Sequence, residues 1–245
     1  MRGHVSDGPG DHRALQLPRP LSLPASAAIL VLHGGRADSL APPPLLNLPG
    51  LRMRLFARAL NRDPLLEDVL IASVRYRLRG WNGHRADPVQ DTGHALEELR
   101  RVAGPLPVVL VGHSMGARAA LRAAADPHVR GVVALAPWCP PGEPVAHLAD
   151  RTILALHDEA DRITSATGTW NHLARAHAAG ARVLGIRMPG GHHTMIRDAP
   201  LWHRLTTACA AAALNLAPPP GGGHHEETTW SPTPLDAADL TLPGQ

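Results

Sequence analysis

Apolar residues along the chain gather into six short runs: 27–34 (AAILVLHG), 68–77 (DVLIASVRYR), 106–114 (LPVVLVGHS), 129–138 (VRGVVALAPW), 151–158 (RTILALHD) and 181–190 (ARVLGIRMPG). Each is rich in Val, Ile and Leu and nearly continuous rather than alternating, which is how a strand buried on both faces of a parallel sheet reads. Between them lie helix-length segments that mix polar and apolar residues, at 50–61, 87–103, 115–125 and 165–179, and a fifth follows at 199–216. Strand and helix alternate. The pattern therefore predicts an α/β fold, a doubly wound and mostly parallel sheet of about six to seven strands with helices on both faces.

The flanks read differently. Residues 1–24 carry charge and proline without a continuous apolar core, so they are expected to be loosely ordered, with one edge strand between Ala14 and Leu23. After Leu216 the text becomes APPPGGGHHEETTWSPTPLDAADLTLPGQ, and 217–245 reads as a disordered tail rich in Pro and Gly. The folded domain is then 25–216.

The stretch LVGHSMGARAA, 110–120, sets Ser114 between two glycines at the passage from a strand to a helix. A turn that sharp forces its apex into an unfavourable backbone conformation and needs small neighbours, which Gly112 and Gly116 supply. It lifts the hydroxyl clear of the sheet's carboxyl edge, where open α/β sheets place their ligands. The N–H of Met115, at the helix start, is left aimed at any oxyanion that forms there. A serine hydroxyl is a weak nucleophile until a histidine takes its proton, and that histidine needs a carboxylate to hold its tautomer. Both partners are expected on loops after later strands. HDEADRITS, from His157, presents Asp158, Glu159 and Asp161; MPGGHHTMIRD, from Met188, presents His192 and His193.

With VLHGG, VGHSMG, HDEADRITS and GGHHTM on the page, the chain resembles the α/β-hydrolase family, in particular its small cap-less esterase-like members, over about Ala27 to Leu216. The resemblance implies a Ser-His-Asp triad, no cofactor, and water as the usual second substrate. Its pattern of strand, His-Gly, two residues, Asp matches His157 and selects Asp161 as the acid, with Asp158 standing where Gly is usual. Its pattern after the histidine selects His193 as base and leaves His192 as the alternative. It also makes HGG (33–35) the oxyanion loop, with the Gly35 N–H as second donor beside that of Met115, and His33 bracing the loop. His113 is read as a packing residue. Relatives often carry a helical lid after the strand that here ends at Trp138; only CPPGEPVAHLAD separates it from the next, so the cap is minimal or absent and the site open.

Trp81 and Trp138 are candidates for the wall of a substrate pocket. Arg75, Arg77 and Arg79 fall at period two; they read as a solvated strand end with ion pairs more readily than as an anion site.

Composition narrows the function classes. Every one of the 24 basic residues is arginine, against 21 acidic ones; with a formal charge of +3 this reads as a codon bias rather than a nucleic-acid footprint, which would need the arginines clustered on one surface. Cys139 and Cys209 are too few for a disulfide framework or a zinc ribbon. The His-His-Glu-Glu cluster at 224–227 is weak evidence for metal, and none is expected. No stretch reaches the about 18 apolar residues of a membrane span. The expectation is a cytoplasmic enzyme acting on a small ester or acyl substrate, with neither nucleic acid nor membrane as partner. An acyltransferase or an amide or lactone hydrolase on the same residues is the first alternative; a non-catalytic binding module is the second.

Overall fold

Alternate residues of the central strands feed two separate cores, as double burial requires. A computed structural model describes residues 12–20, 24–221 and 230–240. Along β2 (Ala27–Leu32), Ala28, Leu30 and Leu32 enter one core while Ala27, Ile29 and Val31 enter the other. The first core is closed by α2 (Asp87–Ala103), α3 (Met115–Ala123) and α4 (Ala166–Ala178), through residues such as Leu99, Leu121 and Leu173. The second is closed by α1 (Leu48–Leu60) and α5 (Ala199–Ala213), through Phe56, Trp202 and Leu205.

The remaining strands are β1 (Leu15–Gln16), β3 (Val69–Val74), β4 (Val108–His113), β5 (Val129–Leu135), β6 (Thr152–Asp158), β7 (Arg182–Met188) and β8 (Ser231–Asp236). They form one eight-stranded sheet in the order β1-β3-β2-β4-β5-β6-β7-β8, parallel throughout except for β1 against β3. From β2 the chain moves outward to β3; from β4 it moves the opposite way to β5. The switch point therefore lies between β2 and β4, and an open α/β sheet offers its crevice beyond the carboxyl ends of such a pair.

The doubly wound architecture is as expected, and both edges extend it. The expected N-terminal edge strand is reduced to Leu15–Gln16, where Glu98 on α2 accepts hydrogen bonds from the Ala14 and Leu15 N–H groups at 3.0 and 3.1 Å. The larger correction concerns the tail. Residues 231–236 are not disordered but add β8 beside β7, with Ile186 opposite Leu235 and an Arg187–Asp236 ion pair at 2.9 Å. Pro232 and Pro234 are tolerated because an edge strand has one side with no ladder to complete. The expectations for 1–11, 21–23, 222–229 and 241–245, the His224–Glu227 cluster included, lie outside the described residues. Between β5 and β6 the only helical element is a single 3₁₀ turn at Ala146–Leu148, so no lid covers the carboxyl edge there. Among the described residues no helix is long and apolar enough to cross a membrane.

Candidate active site

Ser114 sits between β4 and α3 with φ 55° and ψ −118°, a conformation a non-glycine residue adopts only when its surroundings impose it. The imposition comes from close packing. A Cβ on Gly112 would lie 2.5 Å from the Gly116 carbonyl oxygen, and one on Gly116 would lie 2.5 Å from that of His33. The turn is held from outside as well: the Ser114 N–H donates to Leu135 at 3.0 Å, and its carbonyl accepts from Arg118 and Trp138 at 3.1 and 3.3 Å.

His193 lies in a 3₁₀ turn (His192–Thr194) after β7, and its Nε2 is 3.0 Å from Ser114 Oγ. Its Nδ1 is 2.8 Å from Asp161 Oδ2, in the turn that follows β6. A carboxylate only accepts, so Nδ1 carries the proton and Nε2 presents its lone pair to the serine hydroxyl. Of the histidine doublet, His193 alone makes these two contacts. His192 turns to solvent and pairs with the other carboxylate: Asp158 Oδ2 lies 3.2 Å from His192 Nδ1 and accepts from its backbone N–H at 2.8 Å. Asp158 thus fastens the histidine turn to the end of β6.

The Asp161 carboxylate is shielded from solvent and fully hydrogen-bonded. Oδ2 faces His193 Nδ1, Thr164 Oγ1 at 2.9 Å and His157 Nε2 at 3.2 Å, while Oδ1 accepts from the Ile163 and Thr164 N–H groups at 2.7 and 3.2 Å. Burial alone would raise its pKa. The hydrogen bonds from His157, Ile163 and His193, with the charge His193 can carry, outweigh that and hold the carboxyl far below the usual range. Burial acts the other way on His193, lowering its pKa against the pull of Asp161, so the ring is neutral at neutral pH.

Gly34 and Gly35 follow β2 and lie against the serine turn; a Cβ on Gly35 would run into the Met115 side chain and the Arg79 carbonyl. The N–H groups of Gly35 and Met115 donate to no protein acceptor among the described residues. His33 braces the loop, its Nδ1–H donating to the Gly34 carbonyl at 2.7 Å while Asn47 Nδ2 donates to its Nε2 at 3.2 Å.

Three contributors escaped the sequence. His113 is more than packing: its Nε2–H donates to the His193 carbonyl at 2.9 Å, and burial pushes its pKa down to about 3, so it stays neutral. Thr164 reaches the Ala136 carbonyl at 3.1 Å as well as Asp161. Its signal was the Asp-x-x-Thr spacing, in which the residues after an aspartate turn back to it. Asp158 stood among the candidate acids, but its role of holding the His192 turn gave no local signal, because that partner lies on the next strand's loop.

The tryptophans part company. Trp81 is 3% exposed, and the Arg118 guanidinium covers its face at 3.8 Å. Half-buried Trp138 also packs on the Arg118 guanidinium, at 4.3 Å, and meets Trp81 edge-on with ring centroids 6.1 Å apart; with Pro140, Ile163, Thr164 and His172 it lines a cleft of about 940 Å³. Buried Glu143 locks this stack, accepting from Arg122 Nε at 2.7 Å and from Arg118. The arginine series leaves the strand, since β3 ends at Val74; Arg77 alone of the three forms an ion pair among the described residues, with buried Asp91 at 2.5 Å. The Cys139 thiol, nearby, is pushed up to about 12, chiefly by desolvation, so it is protonated at neutral pH.

This arrangement can deliver a serine alkoxide to a carbonyl, with the Gly35 and Met115 N–H groups left free of protein acceptors in the adjoining loops. Residues 29–239 match the model of the alpha/beta hydrolase family. The chain belongs to that family, and it is an enzyme of that class. Among solved structures it is similar to a lidless α/β serine hydrolase from Xanthomonas campestris, at 18% identity and a TM-score of 0.54 over 82% of this chain and 85% of that one. An esterase from Pyrobaculum calidifontis matches at 17% identity and 0.59, over 81% and 80%. Est1E from Butyrivibrio proteoclasticus, solved with ferulic acid bound, matches at 11% and 0.59, over 82% and 94%. At such identities the likeness is one of fold. No curated protein matches the chain in sequence.

Proposed function

We propose that the protein is a serine hydrolase that cleaves a carboxylic ester or related acyl bond through an acyl-enzyme on Ser114. The observation that carries this reading is the run of two contacts, 3.0 Å from Ser114 Oγ to His193 Nε2 and 2.8 Å from His193 Nδ1 to Asp161 Oδ2. Ser114 Oγ attacks the acyl carbon as its proton passes to His193, and the Gly35 and Met115 N–H groups hold the resulting oxyanion. The carbon–oxygen bond to the alcohol then breaks, with His193 returning the proton to the leaving alkoxide. Water follows the same path in reverse: it attacks the acyl carbon, gives a proton to His193, and the acid departs as Ser114 recovers its hydrogen. Asp161 stays ionised throughout.

The short connection between β5 and β6, with no lid over the carboxyl edge there, favours short or bulky esters that reach the serine without a conformational step. Hydrolysis of p-nitrophenyl acetate by the purified chain tests the reading. Activity that falls at least about 10³-fold in Ser114→Ala is expected from the loss of a nucleophile; turnover that persists in this variant would falsify the assignment.

A further inference from the structure

A stretch of the chain without an acidic residue but with several arginines runs beside this site. From Ser39 to Arg62 there is no Asp or Glu, while Arg52, Arg54, Arg58 and Arg62 add four positive charges. The same stretch exposes leucines that nothing among the described residues covers: Leu40, Leu45, Leu46, Leu48, Leu51 and Leu55. They are not scattered. On α1, whose inward face is Met53, Phe56 and Leu60, the residues Leu48, Leu51 and Leu55 fall within an arc of about 60° on a helix of 3.6 residues per turn. Arg54 and Arg58, both exposed, flank that arc. The arginine ion pairs of the described residues use Arg77, Arg85, Arg101, Arg118, Arg122 and Arg187, so the arginines of this stretch keep their charge unneutralised.

A helix with one apolar face turned to the core and a second, arginine-bordered apolar face turned outward has the make-up of a segment that lies on a lipid surface. The charge selects the lipid. Leucine side chains enter the acyl boundary, and cations beside them are drawn to anionic headgroups.

We propose that the segment 39–62 docks the protein on an anionic lipid–water interface. The placement gives docking a consequence for the site. Asn47 caps α1, accepting from the Gly50 N–H at 3.3 Å, and its amide donates to His33 in the loop that carries Gly34 and Gly35. Ile163 and Ile196, exposed by 72% and 70%, follow Asp161 and His193 closely in the chain. A docked protein thus holds its serine turn near the lipid, within reach of esters dissolved there. The absence of a membrane span, which led the sequence reading to expect no membrane partner, has no bearing on a helix that lies flat.

The test is cosedimentation of the full chain, as Ser114→Ala so that no lipid is hydrolysed, with phosphatidylcholine vesicles that contain or lack phosphatidylglycerol. Binding to the anionic vesicles is expected, with weakening as salt is raised and a partition coefficient lower by about tenfold in Leu51→Ser/Leu55→Ser. The leucine changes, made also on the active chain, are expected to leave hydrolysis of p-nitrophenyl acetate unchanged. If they impair folding, Arg54→Gln/Arg58→Gln serves instead and is expected to lose the preference for anionic vesicles. Failure to bind, or binding indifferent to both pairs of substitutions, overturns the proposal. So does a chain that ignores vesicles but dimerises in solution through the leucines, since the strip is then a contact between two copies. The readout is binding, so it stands or falls separately from the hydrolase reading.

Discussion

Around Asp161 every acceptor position of one buried carboxylate is used, and two of its donors are histidines of opposite fate. His157 is wholly buried, with Nε2 on the carboxylate and Nδ1 2.8 Å from Thr169 Oγ1, and makes no contact with the serine. His193 is the one that also reaches the serine. This division generates a contrast that separates the doublet: His193→Ala is expected to lower kcat for p-nitrophenyl acetate by at least about 10³-fold, the scale for loss of a general base within such a unit. His192→Ala removes a largely solvent-facing ring and its 3.2 Å pairing with Asp158 but keeps the backbone bond to that carboxylate, and its kcat is expected within about threefold of the parent. Equal losses in the two variants would contradict the division. The pH profile follows from the direction of the His193 shift. The base must be neutral to act, and burial lowers its pKa, so the acid limb of kcat/KM is expected below the ordinary imidazole value of 6.5, with activity rising through that limb to a plateau at neutral pH. A limb at or above that value would show that the ring is not desolvated as described. At this scale the sequence yielded Ser114 from its local signature between glycines, while Asp161 and His193 were singled out from their neighbours only by the family resemblance. It missed what Asp158 and His113 bind, because those partners lie far away in the chain.

Elements whose burial is symmetrical were the easiest to read. β4, with every residue from Val108 to His113 buried, appears in the text as an unbroken apolar run, and the helix that follows starts where the serine turn ends. β8 was hidden for the converse reason: SPTPLD is a half-exposed edge strand with two prolines, and such a segment has the composition of a linker. The meeting of β2, β4 and α3 is where an element-scale change costs most. Gly116→Ala places a methyl 2.5 to 2.6 Å from the His33 and Leu32 carbonyl oxygens, both backbone atoms that cannot swing aside. Overpacking of that kind is expected to destabilise by about 1–3 kcal/mol or more. Thermal unfolding reads it as a lowered Tm, and an unchanged Tm would mean that α3 can slide off the sheet.

For the whole molecule, the claim is that one sheet runs from β1 at one edge to β8 at the other and that the last of these strands belongs to the fold. Deleting residues 222–245 exposes the outer edge of β7, frees the Arg187–Asp236 pair and uncovers Arg182 where it lies over Trp230 at 5.3 Å. A loss of about 2 kcal/mol is expected, seen as a Tm lower by roughly 4–8 °C for a domain of this size. An unaltered Tm would return the segment to the status of a tail. All of this architecture serves to bring three side chains from separate loops to the switch point of the sheet, and a covalent probe reads their convergence directly. Intact and peptide mass spectrometry of the full chain after treatment with a fluorophosphonate is expected to find one adduct, on Ser114, and none in Ser114→Ala. A folded chain that takes up no probe, or takes it up on another residue, would contradict the account.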